Sequence, residues 1–379
     1  MKIGLVCPYN VNKPGGVLQV VLALKAGMEQ HGHTVKIITP RPYRSDSIES
    51  DDVIYIGTST DFRSPSHTTA QISSATDNSN IDKILKEENF DILHFHEPWV
   101  PFLSRQLLMR SSAINIATFH SKVPETLMSR TVIKVVTPYM KSVMNYLHEL
   151  TAVSESGAEY ARTLTNSPIT IIPNGIDLSI YQNIVKTNHL NEKTILFIGR
   201  LEHRKGVKYL LKAFALLNKH NQDIKLIIAG DGPNREKLEQ IAKDLKLNNV
   251  EFLGYISDNK KLELLAEADL FCSPALFGES FGIVLLEAMA SRTVTVAGNN
   301  SGYIDVMKGL GVVSIVKPQD TDEFARRIEL LLNEKDLRKL WLEWAEDYVK
   351  QFSYPNVIKQ YEQLYQKALK NHSHVKPIN

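Results

Sequence analysis

The sequence predicts a doubly wound α/β protein made of two successive domains. Three observations carry this. The chain opens as strand, glycine loop, helix: an apolar run at 3–7, then Pro14-Gly15-Gly16, then Val17, Val20, Val21, Leu24 and Met28 on one helical face. A second series of strand–helix alternations runs from 194 to 316. Between them Pro173-Asn174-Gly175-Ile176-Asp177 breaks the pattern, and a polar stretch continues to Lys193. The boundary is therefore placed after 173. Residues 1–173 form the first domain and 174–353 the second, and a C-terminal helix over about 354–370 packs back on the first.

Composition narrows the function. At 379 residues the chain can fill two cores of ordinary size. Lys and Arg against Asp and Glu give 44 − 42 = +2, so no nucleic-acid partner is expected. Cys7 and Cys272 lie in separate apolar strands and read as buried thiols of a reducing compartment. No apolar run reaches membrane-spanning length, and the N-terminal apolar stretch is too short for a signal peptide. A cytoplasmic protein is expected, free or peripheral on the inner face of the membrane.

In chain order, residues 35–39 give the second strand, and 41–80 read as a polar, irregular excursion. Residues 91–96 and 114–119 are strands, and the second delivers His120 to its carboxyl end. Ligands of open α/β sheets bind at such ends, where His94, His96, Glu97 and His120 all fall. His94 and His96 share a strand face, but no third ligand accompanies them, so hydrogen-bonded structural histidines are expected and no metal. Residues 132–147 read as a core helix kinked at Pro138, with a membrane-surface helix as the alternative. Strands follow at 150–154 and 169–172.

The second domain places strands at 194–199, 224–230, 250–254, 269–273, 294–297 and 312–316. Arg200 and Lys205 follow its first strand, as fixed cations suited to the charge that develops on a diphosphate leaving group. Ser257 or Asp258 caps the helix after the third strand. Asp320-Thr321-Asp322 has the spacing of a metal-binding D-x-D, but it opens a helix and reads as a cap. The C-terminal region 337–369 is helical with a break at Tyr354-Pro355, and the tail from Asn371 reads as disordered.

Residues 277–291 hold the most chemistry. Ile283, Leu285, Leu286, Met289 and Ala290 mark a buried helix, yet Glu279 and Glu287 flank and enter it. Ser280 is the expected N-cap, which leaves the amides of Phe281, Gly282 and Ile283 for an anion. Eight residues place Glu287 about 80° around the helix from Glu279, so both can border one cleft. A capped core helix with one carboxylate paired to a buried cation is the competing reading.

Glu279, seven residues, then Glu287 resembles the E-x7-E signature of the retaining glycosyltransferases of family 4. Gly15-Gly16-Val17, His94-Phe95-His96-Glu97-Pro98, Thr118-Phe119-His120, Pro173-Asn174-Gly175, Gly199-Arg200 and Arg204-Lys205-Gly206 recur in that family's order. The resemblance covers nearly the whole chain. It implies the GT-B fold, two Rossmann-like domains with the active site in the cleft between them. It implies Gly15 and Gly16 at the donor diphosphate, clamped by Arg200 and Lys205. Asp258 and Lys261 would border guanine, Glu287 the ribose, Glu279 the mannose hydroxyls, and Ser280 to Ile283 the phosphates. His120 would lie beside the transferred sugar. The implied activity is metal-independent transfer of a hexose, mannose from GDP-mannose first, to a lipid-linked or other hydroxyl acceptor, with phosphatidylinositol among the candidates. No carboxylate nucleophile stands out, so same-face transfer is expected. Residues 66–88 carry mixed charge, which attracts an anionic surface weakly. The rival readings are a family member using a UDP-sugar, a sugar-nucleotide epimerase of the same fold, and a non-catalytic nucleotide-sugar-binding subunit.

Overall fold

The computed structural model describes residues 1–9, 15–41, 50–63, 69–73, 77–100, 103–121, 137–182, 193–219 and 223–372. The chain divides into two units, Met1–Gly175 with Tyr354–Asn379, and Ile176–Ser353.

The first unit holds β1 (Lys2–Val6), β2 (Thr34–Arg41), β3 (Val53–Arg63), β4 (Thr69–Ser73), β5 (Ile92–His96), β6 (Ile114–Phe119), β7 (Glu149–Ala152) and β8 (Ile169–Ile171). Their order is β4-β3-β2-β1-β5-β6-β7-β8, parallel except for the antiparallel β3–β4 pair. Central strands are buried on both faces, as β5 shows: every residue of Ile-Leu-His-Phe-His is buried.

The excursion at 41–80 is more ordered than its composition suggests. It contains β3, β4 and the start of the helix Asn78–Glu88. Val53-Ile54-Tyr55-Ile56 is a short run of β-formers inside polar flanks, and Val53 and Ile54 pair with Ile37 and Ile38. Asp77 caps the helix by accepting from Ser79 N at 3.1 Å.

The chain's last helix, Tyr354–His372, completes this core. Val357, Ile358, Tyr361, Leu364, Tyr365 and Ala368 join Ile3, Leu5, Leu18, Val21, Leu24 and Met28 in one cluster. Asn371 and His372 are its last turn rather than a disordered tail, and 373–379 lie outside the described residues. Residues 137–144 are helical with Met140, Val143 and Met144 buried, which is the core-helix alternative; the expected kink at Pro138 depends on 132–136, outside the described residues.

The second unit holds β9 (Lys193–Ile198), β10 (Ile224–Ala229), β11 (Val250–Gly254), β12 (Leu270–Ser273), β13 (Val294–Gly298) and β14 (Ile315–Val316), in the order β11-β10-β9-β12-β13-β14, all parallel. The strand expected at 312–316 is reduced to Ile315–Val316. Gly309–Ser314 instead forms a 3₁₀ turn packed on the Trp344 ring.

Cys7 and Cys272 are fully buried, and burial pushes both thiols up, Cys7 to about 12. Among the described residues no helix is long and apolar enough to cross a membrane. Strand order reverses between β1 and β5 in one unit and between β9 and β12 in the other. Those reversals set where ligands are expected, at the carboxyl ends of these strands.

Candidate active site

In the second unit the switch point is made by two loops. The loop after β9 carries Arg200, Glu202 and the 3₁₀ turn His203–Lys205. The loop after β12 carries Glu279 into the helix Ile283–Ala290. Leu276 N donates to Arg204 O at 2.7 Å and locks the loops together.

The helix begins two residues later than a Ser280 cap would place it. Its N-cap is Gly282, at φ +106°, and no side chain caps it. A Cβ on Gly282 would lie 2.7 Å from the Tyr303 ring, which is fully buried with its hydroxyl 2.7 Å from Ser273 Oγ. Phe281 is therefore not part of the helix; its ring is buried against Phe352. The open helix start consists of the amides of Ile283 and Val284, since Leu285 N already bonds Gly282 O at 2.9 Å. Gly282→Ala should cost about 1–3 kcal/mol, the strain of a left-handed backbone plus a ring with nowhere to move. Thermal denaturation of the variant checks this; an unchanged midpoint would show that the turn relaxes freely.

Glu279 is 13% exposed and accepts two cations on one oxygen: Arg204 Nη1 at 2.5 Å and Lys205 Nζ at 2.9 Å. Burial opposes charge on Arg204, but Glu279 and Glu202 outweigh it and raise its pKa. Glu287 is 15% exposed and pairs with Lys261 Nζ at 2.7 Å, and Lys261 also lies 3.5 Å from Asp258. Both carboxylates, not one, are thus ion-paired. Ser257 is the helix cap, accepting from Lys260 N at 3.2 Å, which leaves the Asp258 carboxylate 86% exposed at the first turn. Arg200 is half exposed and pairs with Glu202 at 3.0 Å. The sequence marks Arg204 only as part of the Arg204-Lys205-Gly206 motif, without a role, and does not mark Glu202 at all. The adjacency of Arg204 to Lys205 was a usable signal; nothing local marks Glu202.

In the first unit, Gly15 is the uncapped, extended N-cap of the helix Gly16–Gln30. No atom lies within 4 Å of a Cβ built on Gly15 or Gly16, so among the described residues the backbone there is open to approach. The histidines at the ends of β5 and β6 form a cluster of their own. His94 and His96 do share a face, with ring centroids 4.3 Å apart. His94 Nδ1 meets Tyr365 OH at 2.7 Å and Nε2 meets Thr118 Oγ1 at 2.6 Å, so both nitrogens are engaged. His96 Nδ1 lies 2.8 Å from His120 Nε2, and a neutral pair shares one proton there. Glu97, at φ +54°, takes His120 N at 3.1 Å and Ser121 Oγ at 2.6 Å on one oxygen. Among the described residues no group of three or more His, Cys, Asp or Glu is arranged to hold a metal. Asp320 caps its helix by accepting from Glu323 N at 3.1 Å.

Burial lowers His94 and His120 to about 3 and raises Glu97 to about 7. The signs are opposite. Neutral buried imidazoles give stability that is present above pH 6.5 and lost on acidification. A raised carboxyl gives stability that is full below 4.5 and lost as pH climbs through 7. Wild type should therefore lose about 3 kcal/mol relative to Glu97→Gln between pH 4.5 and 8. Denaturant unfolding of both proteins across that range tests it; parallel pH curves would refute it.

Two doubly wound sheets with an anion-ready helix start at a switch point define the GT-B class of glycosyltransferases. The chain belongs to glycosyltransferase family 4: that family's model matches residues 14–180, and one described as Glycosyl transferases group 1 matches residues 182–347. It is 30% identical over 370 residues to a phosphatidyl-myo-inositol mannosyltransferase of Mycolicibacterium smegmatis, covering 97% of this chain and 94% of that one. The protein of the same name from Mycobacterium leprae is 31% identical over 371 residues, covering 97% and 96%. Among solved structures, sucrose-phosphate synthase from Thermosynechococcus elongatus superposes with a TM-score of 0.77 at 19% identity, over 98% of this chain and 99% of that one. An Anabaena protein in complex with UDP-glucose gives 0.74 at 18%, over 97% and 100%. At these identities the structural likeness speaks to fold alone.

Proposed function

We propose that this glycosyltransferase moves a mannosyl group from GDP-mannose, with retention of configuration, to a hydroxyl acceptor, phosphatidylinositol first among candidates. The observation that carries the donor half is the pair of ion-paired carboxylates on either side of an uncapped helix start. In this reading the Ile283 and Val284 amides, Arg200 and Lys205 receive the diphosphate. Glu287 takes the ribose and Glu279 the sugar hydroxyls. Asp258 and Lys261 border the base. Mannose and the lipid acceptor are supported by the names of relatives near 30% identity. Such an acceptor would bring the protein to a membrane surface, with the inner face first among candidates. The helix Asn78–Glu88 tempers this: Lys83 pairs with Glu87, and Glu88 takes Lys2 and Lys36. Its two lysines, Lys83 and Lys86, stand against three carboxylates, Asp82, Glu87 and Glu88, so its charge does not favour an anionic surface and soluble acceptors belong in the test.

Product analysis by mass spectrometry decides it, with GDP-mannose and UDP-glucose each offered against phosphatidylinositol vesicles and soluble polyols. Mannosylated product with an α linkage is expected. Product from UDP-glucose alone would overturn the donor; free sugar without any acceptor would favour an epimerase-like or hydrolytic reaction.

The base is testable separately. Asp258 can accept from two guanine N–H groups, which uracil lacks. GDP should bind more tightly than UDP by about 1–3 kcal/mol, and Asp258→Ala should erase the difference. Calorimetry with both nucleotides reads this. Equal wild-type affinities would refute the guanine assignment.

A further inference from the structure

One carboxylate beside the phosphate cations has no role in the scheme above. Glu202 follows β9, and its side chain is 10% exposed. Its oxygens are divided between two arginines: Oε1 lies 3.0 Å from Arg200 Nε, and Oε2 lies 2.8 Å from Arg204 Nε. Arg204 then reaches forward with Nη1 to Glu279 Oε1 at 2.5 Å and to Gly278 O at 3.4 Å. Among the described residues Glu202 is the one ion-pair partner of Arg200.

We propose that Glu202 is a positioning residue for the donor: it holds Arg200 ready for the diphosphate and, through Arg204, orients the Glu279 carboxylate. This rests on the reading that Arg200 meets the diphosphate and Glu279 the sugar. An arginine loses considerable rotamer freedom when it is immobilised on a ligand. Gripping it by Nε beforehand removes much of that cost and leaves the terminal nitrogens for the phosphate oxygens.

Positioning and simple charge make opposite predictions here. Arg200, Arg204 and Lys205 against Glu202 and Glu279 give 3 − 2 = +1. Glu202→Gln raises this to about +2, and by Coulomb attraction alone should tighten an anionic ligand. If Glu202 acts by positioning, the same substitution weakens it.

The test compares wild type, Glu202→Gln, Glu202→Asp and Arg200→Ala. Affinities are measured for GDP, UDP, guanosine and uridine, with donor KM, turnover and thermal midpoint. Glu202→Gln should weaken whichever nucleoside diphosphate the wild type binds by about tenfold, the scale of one charge-assisted hydrogen bond. It should leave the matching nucleoside unchanged, raise donor KM and lower kcat, with Glu202→Asp recovering part of both. Unchanged or tighter diphosphate binding would overturn the proposal, as would equal losses for nucleoside and diphosphate. Equal wild-type affinity for UDP and GDP would sink the guanine reading while leaving the Glu202 comparison valid. Intact diphosphate binding in Arg200→Ala would remove the reading beneath the proposal, and the proposal with it.

Discussion

Lys205→Ala should lower kcat/KM for sugar transfer by about 30- to 1000-fold, a loss of about 2–4 kcal/mol of transition-state stabilisation. The side chain is 14% exposed and rests 2.9 Å from Glu279. A fixed cation in such a place needs little rearrangement when the nucleotide diphosphate begins to leave, which is where a preorganised charge gains most. The fold should tolerate the change, because Arg204 still compensates Glu279. Steady-state kinetics beside a thermal melt separate the two effects. Rate and midpoint falling together would mean that Lys205 supports structure instead. The same assay addresses metal. If cations and amides neutralise the phosphates, EDTA should leave the rate nearly intact; loss restored by magnesium or manganese would contradict the metal-independent reading.

Much of the fold was legible because its signals are local. Alternating apolar runs and glycine turns give parallel strands and helices, and the switch points follow from strand order. Legibility failed where the deciding contact is distant. The β-formers at 53–56 were masked by polar neighbours, and β2 makes them a strand. Ser280 has the right chemistry for a cap, but Gly282 takes that place in a left-handed turn, where the ring of Tyr303, remote in sequence, leaves no room for a side chain. The site divides in the same way. Spacing pointed to Glu279 and Glu287 as members of one helix region. It could not show that Lys261 pairs with Glu287, 26 residues away, or that Arg204 spans 75 residues to Glu279. Glu202 was invisible for this reason: a carboxylate between two arginines looks like any solvated charge until their Nε atoms are placed.

Glu279→Gln and Glu287→Gln should fail in different ways. If Glu287 holds the ribose, its contact exists equally in ground and transition states. Its loss should weaken GDP and GDP-mannose together, with a smaller effect on turnover. If Glu279 touches the sugar, it is silent toward GDP. Glu279→Gln should leave the GDP dissociation constant within about threefold, under 1 kcal/mol. Its turnover should still fall about tenfold or more, because hydroxyl contacts strengthen as the oxocarbenium-like ring forms. The ion pairs sharpen the contrast. Glutamine keeps an acceptor oxygen for Arg204 and Lys205 at one position and for Lys261 at the other, so neither variant should lose its packing. A purely structural role predicts something else: breaking a buried pair costs stability, and activity would fall in step with the melting temperature. GDP affinity, turnover and thermal midpoint on both variants decide among these outcomes. Identical profiles for the two substitutions would mean that the carboxylates do not divide the donor between them.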